Sequence, residues 1–168
     1  MQNVFNLEKP KVALLNIGEE ETKGTDLQKE ANKLMRQIDG FIGNVEGRDI
    51  FAGEADVIIT DGFTGNVVLK FAESITTLLK AKIRHYSERN LINKIKVAAM
   101  VPTLKDILKE FDYQEYGGVP LLGVNGNVII GHGKSTPKAY KNMIFRAIDL
   151  IDNDINGKIH TALKLTGV

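Results

Sequence analysis

The chain has 168 residues, 43% of them hydrophobic and 26% charged, which suffices for one globular domain with a sizeable core. It carries 22 Lys and Arg residues against 21 Asp and Glu residues, and this net charge of +1 gives no electrostatic case for nucleic-acid binding. The absence of cysteine excludes disulfides, thiol nucleophiles and Cys-ligated metals, and it fits the cytosol. No apolar run approaches the roughly 18 residues of a membrane-spanning helix, and residues 1–20 lack the pattern of a signal peptide.

The start of the chain predicts a strand followed by a helix. The apolar run Lys11–Ile17 is typical of a short buried strand. Thr25 and Gln28 match a capping box, in which each side chain bonds the backbone N–H of the other residue, so a helix is expected to begin at Thr25 and to end at Gly40. The apolar face of this helix is expected to consist of Leu27, Ala31, Leu34, Met35 and Ile38.

Two short strands and a second helix follow. Phe41–Val45 is predicted as an extended piece, Glu46–Phe51 as a turn or one helical turn, and Ala55–Thr60 as a buried strand. A helix is then expected from near Gly65 to near Arg84, with an apolar face made of Val68, Phe71, Ile75, Leu78 and Leu79. Because strands that alternate with helices favour right-handed crossovers, the pattern predicts an α/β fold with a mostly parallel sheet and flanking helices.

The segment Leu91–Val101 is apolar and basic and contains no acidic residue. Pro102 is expected to interrupt it, and Thr103–Glu110 then predicts a second short helix. Three roles are open for Leu91–Val101: contact with an anionic membrane, a dimer interface, or packing within its own subunit. We expect residues 85–115 to form a helical excursion from a single α/β domain that comprises residues 1–168.

A β-hairpin and a long helix complete the chain. The segment Leu121–Ile130 predicts the hairpin, because Asn125–Asn127 places an Asn-Gly turn between two apolar runs. Ser135 or Thr136 is expected to cap the helix. A kink or break is expected at Gly157. The predicted buried face of the helix consists of Tyr140, Met143, Ile144, Ala147, Ile148 and Ile151.

Four polar, glycine-flanked clusters follow predicted strands: Asn16–Glu19, Gly43–Arg48, Asp61–Asn66 and Gly131–Ser135. Gly, Asn and Asp dominate turns for conformational reasons, so any one cluster can be turn chemistry alone. The carboxyl ends of parallel strands meet at one edge of a sheet, and ligands bind there in open α/β folds. Four clusters at one edge of a sheet therefore favour a shared cleft.

The DGFTGN segment, residues 61–66, is the strongest candidate because a helix is expected to begin inside it. A helix N-terminus presents unpaired N–H groups and partial positive charge, which suit a phosphate or a developing oxyanion. Thr64 is expected to cap the helix, Gly65 to let a ligand approach the backbone, and Asn66 to donate to an oxyanion. Asp61 has two open roles: it orients a nucleophile or base, or it accepts local backbone N–H groups.

Arg48 and His132 are the remaining charged candidates. Arg48 stands beside Glu46 and Asp49 in the sequence, and it either forms an ion-pair network with them or holds a phosphate through two hydrogen bonds. His132 lies between two glycines at a predicted strand end and is the histidine we assign to a candidate site. No spacing of His, Asp or Glu predicts a metal site, and no Walker loop or dinucleotide-binding glycine motif occurs.

Taken together, these clusters resemble a known family, the bacterial phosphate acyltransferases of phospholipid synthesis (the PlsX family, acyl-ACP:phosphate acyltransferases). The resemblance runs over nearly all of the chain, and its motifs are long and ungapped. The matching segments are Val12–Gly18, Gly43–Asp49, Ala55–Val57, Asp61–Lys70, Tyr116–Gly118, Leu121–Ile130 and Gly131–Gly133.

The resemblance implies a fold similar to that of the isocitrate and isopropylmalate dehydrogenases. It also implies a transferase reaction, in which inorganic phosphate attacks the thioester of an acyl-acyl carrier protein and gives acyl phosphate for phospholipid synthesis. No metal and no nicotinamide cofactor would take part. The enzyme would be a cytoplasmic homodimer with peripheral contact to the inner face of the cell membrane, for which Leu91–Val101 is the candidate segment.

The strand-end clusters supply the candidate residues for this reaction. The catalytic candidates are Asp61, Thr64, Asn66 and His132. The candidates for binding phosphate or substrate are Asn16, Asn44, Glu46, Arg48, Gly62 and Gly65. Chains of the family are longer by an N-terminal half, so this chain corresponds to the C-terminal half, and the family's cleft takes residues from both halves. The alternative function is a non-catalytic module for dimerisation and membrane docking, built on residues 85–115.

Overall fold

The structure is a computed structural model that describes residues 7–108 and 113–165. The chain divides into two compact units, Met1–Lys80 and Ala81–Val168. The first unit contains a parallel sheet with a polar edge. The second unit contains an antiparallel pair of strands covered by a helix.

The first unit contains the three parallel strands β1 (Val12–Leu15), β2 (Phe41–Val45) and β3 (Val57–Ile59). They lie in the order β2-β1-β3, which confirms the predicted parallel sheet, although β1 and β3 are shorter than expected. The central strand is buried, with Ala13 at 0% and Leu14 at 4% exposure. Because all three strands run the same way, their carboxyl ends meet at one edge.

Helix α1 (Asp26–Met35) connects β1 to β2 and confirms the predicted capping box. The backbone N–H of its N-cap residue Thr25 donates to Gln28 Oε1 at 3.1 Å. The helix ends at Met35 rather than at Gly40, which instead forms the tight turn into β2 with a positive φ of 86° and lies against the carbonyl of Pro10.

The predicted apolar face of α1 is confirmed only in part, because Met35 is buried as expected but Leu27 and Leu34 are not. The buried residues of the helix are Asn32 and Met35, whereas Leu27 and Leu34 are more than 60% exposed. The reason lies in the sheet, because Asn32 faces Asn44, a buried polar residue of β2. The helix therefore packs through a partly polar face that hydrophobic periodicity does not indicate.

After β2, a short 3-10 helix (Gly47–Phe51) leads to β3, as the predicted single helical turn. Helix α2 (Gly62–Ser87) follows β3 and begins three residues earlier than near Gly65. The apolar face predicted for α2 is not buried, because no residue of this helix is buried and Phe71 is 66% exposed.

Helix α3 (Leu91–Ile107) runs through Pro102 without a break, so the predicted interruption is wrong. Proline supplies a helical φ, but inside a helix it removes one backbone hydrogen bond and its ring crowds the carbonyl of residue i−4, so Pro102 weakens α3 without ending it. Its start is capped by Asn90, whose side chain accepts from the N–H of Asn93 at 2.8 Å. The end of the predicted helix Thr103–Glu110, and residues 109–112 of the predicted excursion, lie outside the described residues.

The second unit confirms the hairpin with a shifted first arm. Strand β4 (Gly118–Pro120) pairs antiparallel with β5 (Ile129–Gly131), so the first arm precedes Leu121 and the connecting loop is longer than a tight Asn-Gly turn. Leu121 N–H still donates to the carbonyl of Val128 at 2.9 Å. A short helix, α4 (Tyr113–Tyr116), precedes the pair.

Helix α5 (Pro137–Asp152) starts after its N-cap Thr136, as expected, but buries a different face. Its buried residues are Ala139 and Leu150, neither of which belongs to the predicted set. Four residues of the predicted face are 44–63% exposed: Tyr140, Ile144, Ile148 and Ile151. The absence of a side chain at Gly117 lets its backbone approach α5, where a Cβ would lie 2.9 Å from the carbonyl oxygen of Ala139.

The break after α5 lies at Asn153 and Asp154, where Asp154 adopts a positive φ of 46°, and not at Gly157 as predicted. The last helix, α6 (Ile155–Leu165), then contains Gly157. Asn153 closes α5 by donating from its N–H to the carbonyl of Asp149 at 3.1 Å. A short polar pair that tolerates unusual backbone geometry thus separates the two helices.

Candidate site at the carboxyl edge of the parallel sheet

The carboxyl ends of β1, β2 and β3 place three of the four predicted clusters at one edge of the sheet. Asn16 follows β1, Glu46 follows β2, and Asp61 lies two residues after β3. The fourth cluster follows β5, which belongs to a separate two-stranded sheet in the second unit. The expectation of four clusters on one sheet is therefore wrong, and the edge in the first unit gathers three.

The DGFTGN segment caps its own helix. The carboxylate of Asp61 accepts the backbone N–H of Thr64 at 2.9 Å and the hydroxyl of Thr64 at 2.6 Å. These donors, the side-chain hydroxyl first, hold the pKa of Asp61 below its ordinary value of 3.8. Asp61 is thus the cap of α2, and the expectation that Thr64 is the cap is wrong.

This arrangement changes what the start of α2 offers to a ligand. The charge of Asp61 occupies the position at which an external anion would meet the N–H of Thr64. Gly62 has open space around it, whereas a Cβ at Gly65 would lie 2.8 Å from the methyl group of Thr60. Asn66 is exposed. The amide of Asn66 and the open backbone at Gly62 are therefore the accessible parts of this segment.

Asn16 and Asn44 clasp the loop Gly18–Gly24, which we call the edge loop. Each side chain is only 8% exposed. Asn16 Nδ2 donates to the carbonyl of Lys23 at 3.1 Å, and Asn44 Nδ2 donates to the carbonyl of Glu20 at 3.0 Å. Both asparagines, predicted to bind substrate, therefore hold the edge loop over the ends of their strands.

Asn32 and Arg36 extend this clasp, and sequence reasoning missed both. Asn32, 4% exposed, donates from Nδ2 to Asn44 Oδ1 at 2.8 Å, and Arg36 Nε donates to Asn32 Oδ1 at 3.2 Å. The guanidinium of Arg36 also pairs with Glu21 in the edge loop. A signal exists in the sequence: Gln28, Asn32 and Arg36 form a polar stripe at four-residue spacing along α1.

Gln28 brings the start of α1 to the DGFTGN segment. Its Oε1 completes the capping box with Thr25, and its Nε2 lies 3.5 Å from Asp61 Oδ2. That distance is long for a hydrogen bond, so it marks proximity rather than a strong contact. The first turns of α1 and α2 are thus neighbours at the carboxyl edge.

Arg48 forms the ion-pair network that was one of its two predicted roles. Its guanidinium lies 3.4 Å from Glu19, 3.5 Å from Glu46 and 3.6 Å from Asp49. The side chain is 69% exposed, so each pair is screened by water and weak. Three carboxylates around one guanidinium leave this part of the edge acidic, and the predicted contact of Arg48 with phosphate stays a prediction.

A cleft of about 450 Å³ lies beside β2 in the first unit. Its polar lining comes from the edge loop and from the α1 stripe, and its apolar lining comes from the first residues of β2. The lining residues are Glu19, Glu21, Asn32, Arg36, Phe41, Ile42, Gly43 and Asn44. The clasp residues Asn32 and Asn44 thus form one wall of an open depression.

His132 lies in the second unit, directly after β5, and is half-buried. Its Nδ1 accepts the backbone N–H of Lys134 at 3.1 Å, and its carbonyl accepts the hydroxyl of Ser135 at 2.6 Å. These contacts build the turn that leads into α5. The proposed catalytic role of His132 stays a prediction.

The parts of the chain that the structure describes hold no group of three or more His, Asp or Glu side chains placed for a metal ion. Within residues 7–108 and 113–165, no helix has the length and apolar character needed to cross a lipid bilayer.

Comparison with known proteins decides the family. A family model described as "Fatty acid synthesis protein" matches residues 1–158. The chain belongs to this family, the PlsX-type phosphate acyltransferases. The resemblance carried by its strand-end clusters is thereby confirmed.

Several curated members of the PlsX family are similar to the chain. A phosphate acyltransferase of Campylobacter jejuni subsp. jejuni is 49% identical over 162 residues, which cover 96% of this chain and 49% of that protein. A phosphate acyltransferase of a Nitratiruptor species is 48% identical over 161 residues, covering 96% of this chain and 48% of that protein. One of Wolinella succinogenes is 46% identical over 158 residues, covering 94% of this chain and 48% of that protein. The chain therefore spans about half the length of these PlsX relatives.

Proposed function

We propose that the chain is part of an acyltransferase that moves a fatty acyl group from acyl-acyl carrier protein to inorganic phosphate, giving acyl phosphate for phospholipid synthesis. The observation that carries the proposal is the 49% identity to a phosphate acyltransferase across 96% of the chain. We further propose that the parallel sheet belongs to a dehydrogenase-like fold that works without a nicotinamide cofactor.

The chemistry needs positioning and charge stabilisation more than it needs a strong base. An oxygen of phosphate attacks the thioester carbonyl, a new C–O bond forms, the C–S bond breaks, and the thiol of the carrier protein leaves with a proton. Phosphate is already a competent nucleophile at neutral pH. Donors aimed at the carbonyl oxygen stabilise the charge that develops on it, and holding both reactants together supplies most of the remaining rate.

Asn66 is the residue that we place at the developing oxyanion. It is exposed on the first turns of α2, next to the open backbone at Gly62. Thr64 acts through Asp61, because its hydroxyl and N–H fix the carboxylate that caps the helix. The geometry supports Asn66 as a donor to substrate and Thr64 as a residue that keeps the turn in shape.

The electrostatics of the edge support a site that needs further groups. Glu19, Glu46 and Asp49 surround Arg48, and a phosphate dianion is repelled by such a cluster. Cations that hold the phosphate are therefore expected from outside this edge. This agrees with a chain that spans about half the length of its relatives.

The test replaces Asn66→Ala and Thr64→Ala in a protein of the relatives' length that contains this chain, with acyl phosphate formation as the measurement. Loss of an oxyanion donor is expected to lower kcat by roughly 100-fold for Asn66→Ala. Thr64→Ala is expected to lower it by roughly tenfold, because the capping carboxylate loses the hydroxyl donor. Thr77→Ala, an exposed threonine on the same helix, is the matched control. Wild-type rates in both site variants would contradict the assignment.

A second candidate function is dimerisation and membrane docking through α3, and one observation favours it. The apolar side chains of its first half stand in solvent: Leu91 is 72%, Ile92 66% and Ile95 62% exposed. Lys94 and Lys96 lie among them and suit an anionic surface. We propose that the cytoplasmic enzyme is a homodimer and touches the inner face of the membrane through Leu91–Val101.

Sedimentation with liposomes and gel filtration test this second candidate. The double variant Ile92→Glu, Ile95→Glu is expected to abolish sedimentation with anionic liposomes, because two charges replace apolar contacts. Leu34→Glu is the control, since Leu34 is 64% exposed on a different helix. Unaltered binding of the double variant to anionic liposomes contradicts the membrane contact, and a monomeric parent protein contradicts the homodimer.

A further inference from the structure

We propose that Asn32, which lies on α1 away from the DGFTGN segment, is a positioning residue for phosphate. It acts through Asn44, which holds the edge loop Gly18–Gly24 in place. The role of phosphate in this inference rests on the proposed function. The holding of the edge loop by Asn32 and Asn44 does not depend on that function.

Asn32 is an unusual residue for a buried position on a helix. Asparagine is a weaker helix former than alanine or leucine, yet Asn32 occupies an interior position of α1. It is 4% exposed, and a buried amide is unfavourable unless its donor and acceptor are both satisfied. Both are satisfied, by Asn44 and Arg36. An apolar residue would pack there without these requirements.

In the hydrogen bonds that join Arg36, Asn32, Asn44 and Glu20, each donor and each acceptor is fixed by its chemistry. Arg36 can only donate, so Oδ1 of Asn32 must face it and Nδ2 of Asn32 must face Asn44. The carbonyl of Glu20 can only accept, so Asn44 must present its Nδ2 to the edge loop. Each residue thus fixes the orientation of the next, from Arg36 through Asn32 and Asn44 to Glu20.

The edge loop connects these hydrogen bonds to the DGFTGN segment. Beyond Glu20, the loop is held by Asn16 at the carbonyl of Lys23. A Cβ at Gly24 would lie 2.4 Å from Asn16 Oδ1, so the loop fits closely here. The chain then enters α1 directly, where Gln28 lies 3.5 Å from Asp61. Asn32 therefore lies at one end of a series of contacts that reaches the DGFTGN segment, where we propose that substrate binds.

The variant Asn32→Asp breaks this chain of bonds at one atom. Aspartate has nearly the same shape and can still accept from Arg36, but it cannot donate to Asn44. Asn44 then turns its own Nδ2 towards residue 32 and loses the carbonyl of Glu20. Gln37→Glu is the matched control, because it makes the same change from amide to carboxylate at an exposed position just after α1.

Two measurements follow the two claims. The first is cleavage of the folded 168-residue chain by a Glu-specific protease, with the cut at Glu19, Glu20 or Glu21 identified by mass. Asn32→Asp is expected to accelerate this cleavage about tenfold or more, as the loss of a buried hydrogen bond predicts. The second is steady-state kinetics in a protein of the relatives' length. There KM for inorganic phosphate is expected to rise several-fold while KM for the acyl donor stays unchanged.

A second variant covers the case in which Asn32→Asp does not fold, as judged by circular dichroism. Arg36→Ala removes the donor to Asn32 Oδ1. The fold tolerates this change because the Arg36 side chain is 47% exposed. We expect smaller increases in cleavage rate and in KM for phosphate than with Asn32→Asp. Unchanged cleavage in the folded variants, or faster cleavage with an unaltered KM for phosphate, overturns the proposal. A parent protein that makes no acyl phosphate contradicts the proposed function instead, and cleavage alone then decides whether Asn32 holds the loop.

Discussion

Three glycines near the carboxyl edge of the parallel sheet and two glycines at the β4–β5 pair have opposite surroundings. In the first unit, Gly43, Gly47 and Gly62 have open space where a side chain would stand. In the second unit, a Cβ at Gly117 would lie 2.5 Å from the backbone nitrogen of Met143, and one at Gly118 would lie 2.6 Å from the carbonyl oxygen of Ile130. Glycines that look alike in sequence thus leave open space at one strand end and allow close packing at another.

The difference shows what a glycine-rich turn can and cannot indicate. Open glycines at the end of a parallel strand leave the backbone accessible to a ligand. Packed glycines let a helix approach a strand pair, as α5 approaches β4 and β5. Only the surrounding space separates the two roles, and that space is set by elements distant in sequence.

The largest expected effect breaks the packing side of this comparison. Gly117→Ala places a methyl group against the backbone of α5 and forces alanine to keep a φ of +78°. We expect a loss of about 3 kcal/mol in the free energy of unfolding, since strain and overpacking add. Urea denaturation of the chain measures it. Gly126→Ala, in open space, is the control, and equal stability of the two variants would contradict the packing role.

A smaller effect concerns the turn at the parallel sheet, which is held by hydrogen bonds rather than by packing. Asp61→Ala removes the acceptor of two bonds from Thr64. The melting temperature is expected to fall by roughly 4 °C, as for the loss of a helix cap. Asp39→Ala, at an exposed acidic residue, is the control. A loss in the control as large as that in Asp61→Ala would show that the cap itself contributes nothing.

The same variant gives a pH dependence with a defined sign. The pKa of Asp61 is lower in the folded chain than its ordinary value of 3.8, because Thr64 donates to the carboxylate. The folded state then binds fewer protons than the unfolded state, so this contribution is complete above about pH 4 and is lost as pH falls through the folded pKa. The difference in melting temperature between the parent and Asp61→Ala should therefore shrink below about pH 4. A difference in melting temperature that grows on acidification would contradict a lowered pKa of Asp61 in the folded chain.

The smallest expected change in stability sharpens the access side of the comparison. Gly62→Ala adds a methyl group in open space at the first position of α2. Its free energy of unfolding should stay within about 1 kcal/mol of the parent, because alanine favours helix. In a protein of the relatives' length that contains this chain, acyl phosphate formation should nevertheless fall, because we propose that a ligand approaches the backbone there. Unchanged turnover would show that the open space is not used.

Local signals in the sequence predicted local structure correctly. The capping box of Thr25 and Gln28, an antiparallel hairpin (with a longer loop than predicted) and the alternation behind the parallel sheet are all present. Each depends on residues that are close in sequence or on a pattern that only one fold class satisfies. The position of three polar clusters at the carboxyl edge followed from the parallel order, because the carboxyl ends of parallel strands all lie at the same edge of a sheet.

The predictions that were wrong share one physical cause, which is that they depend on contacts between elements. Periodicity finds an apolar face but does not tell which face a neighbour covers, and so Leu34 and Ile144 were assigned to a core they do not join. Asn32 was missed because a polar residue on a helix is normally solvated, whereas here it is buried against Asn44 of β2. Such pairings depend on contacts between elements and have no local signature.

The long loop between β4 and β5 offers a practical handle on the molecule. Gly123 and Gly126 have free space around them, and the bond from Leu121 to Val128 closes the loop at its base. Loops closed in this way accept inserted residues at little cost, because closure entropy grows slowly with length. A fluorescent or affinity peptide placed between Val124 and Gly126 would report on the second unit while leaving the packed glycines untouched.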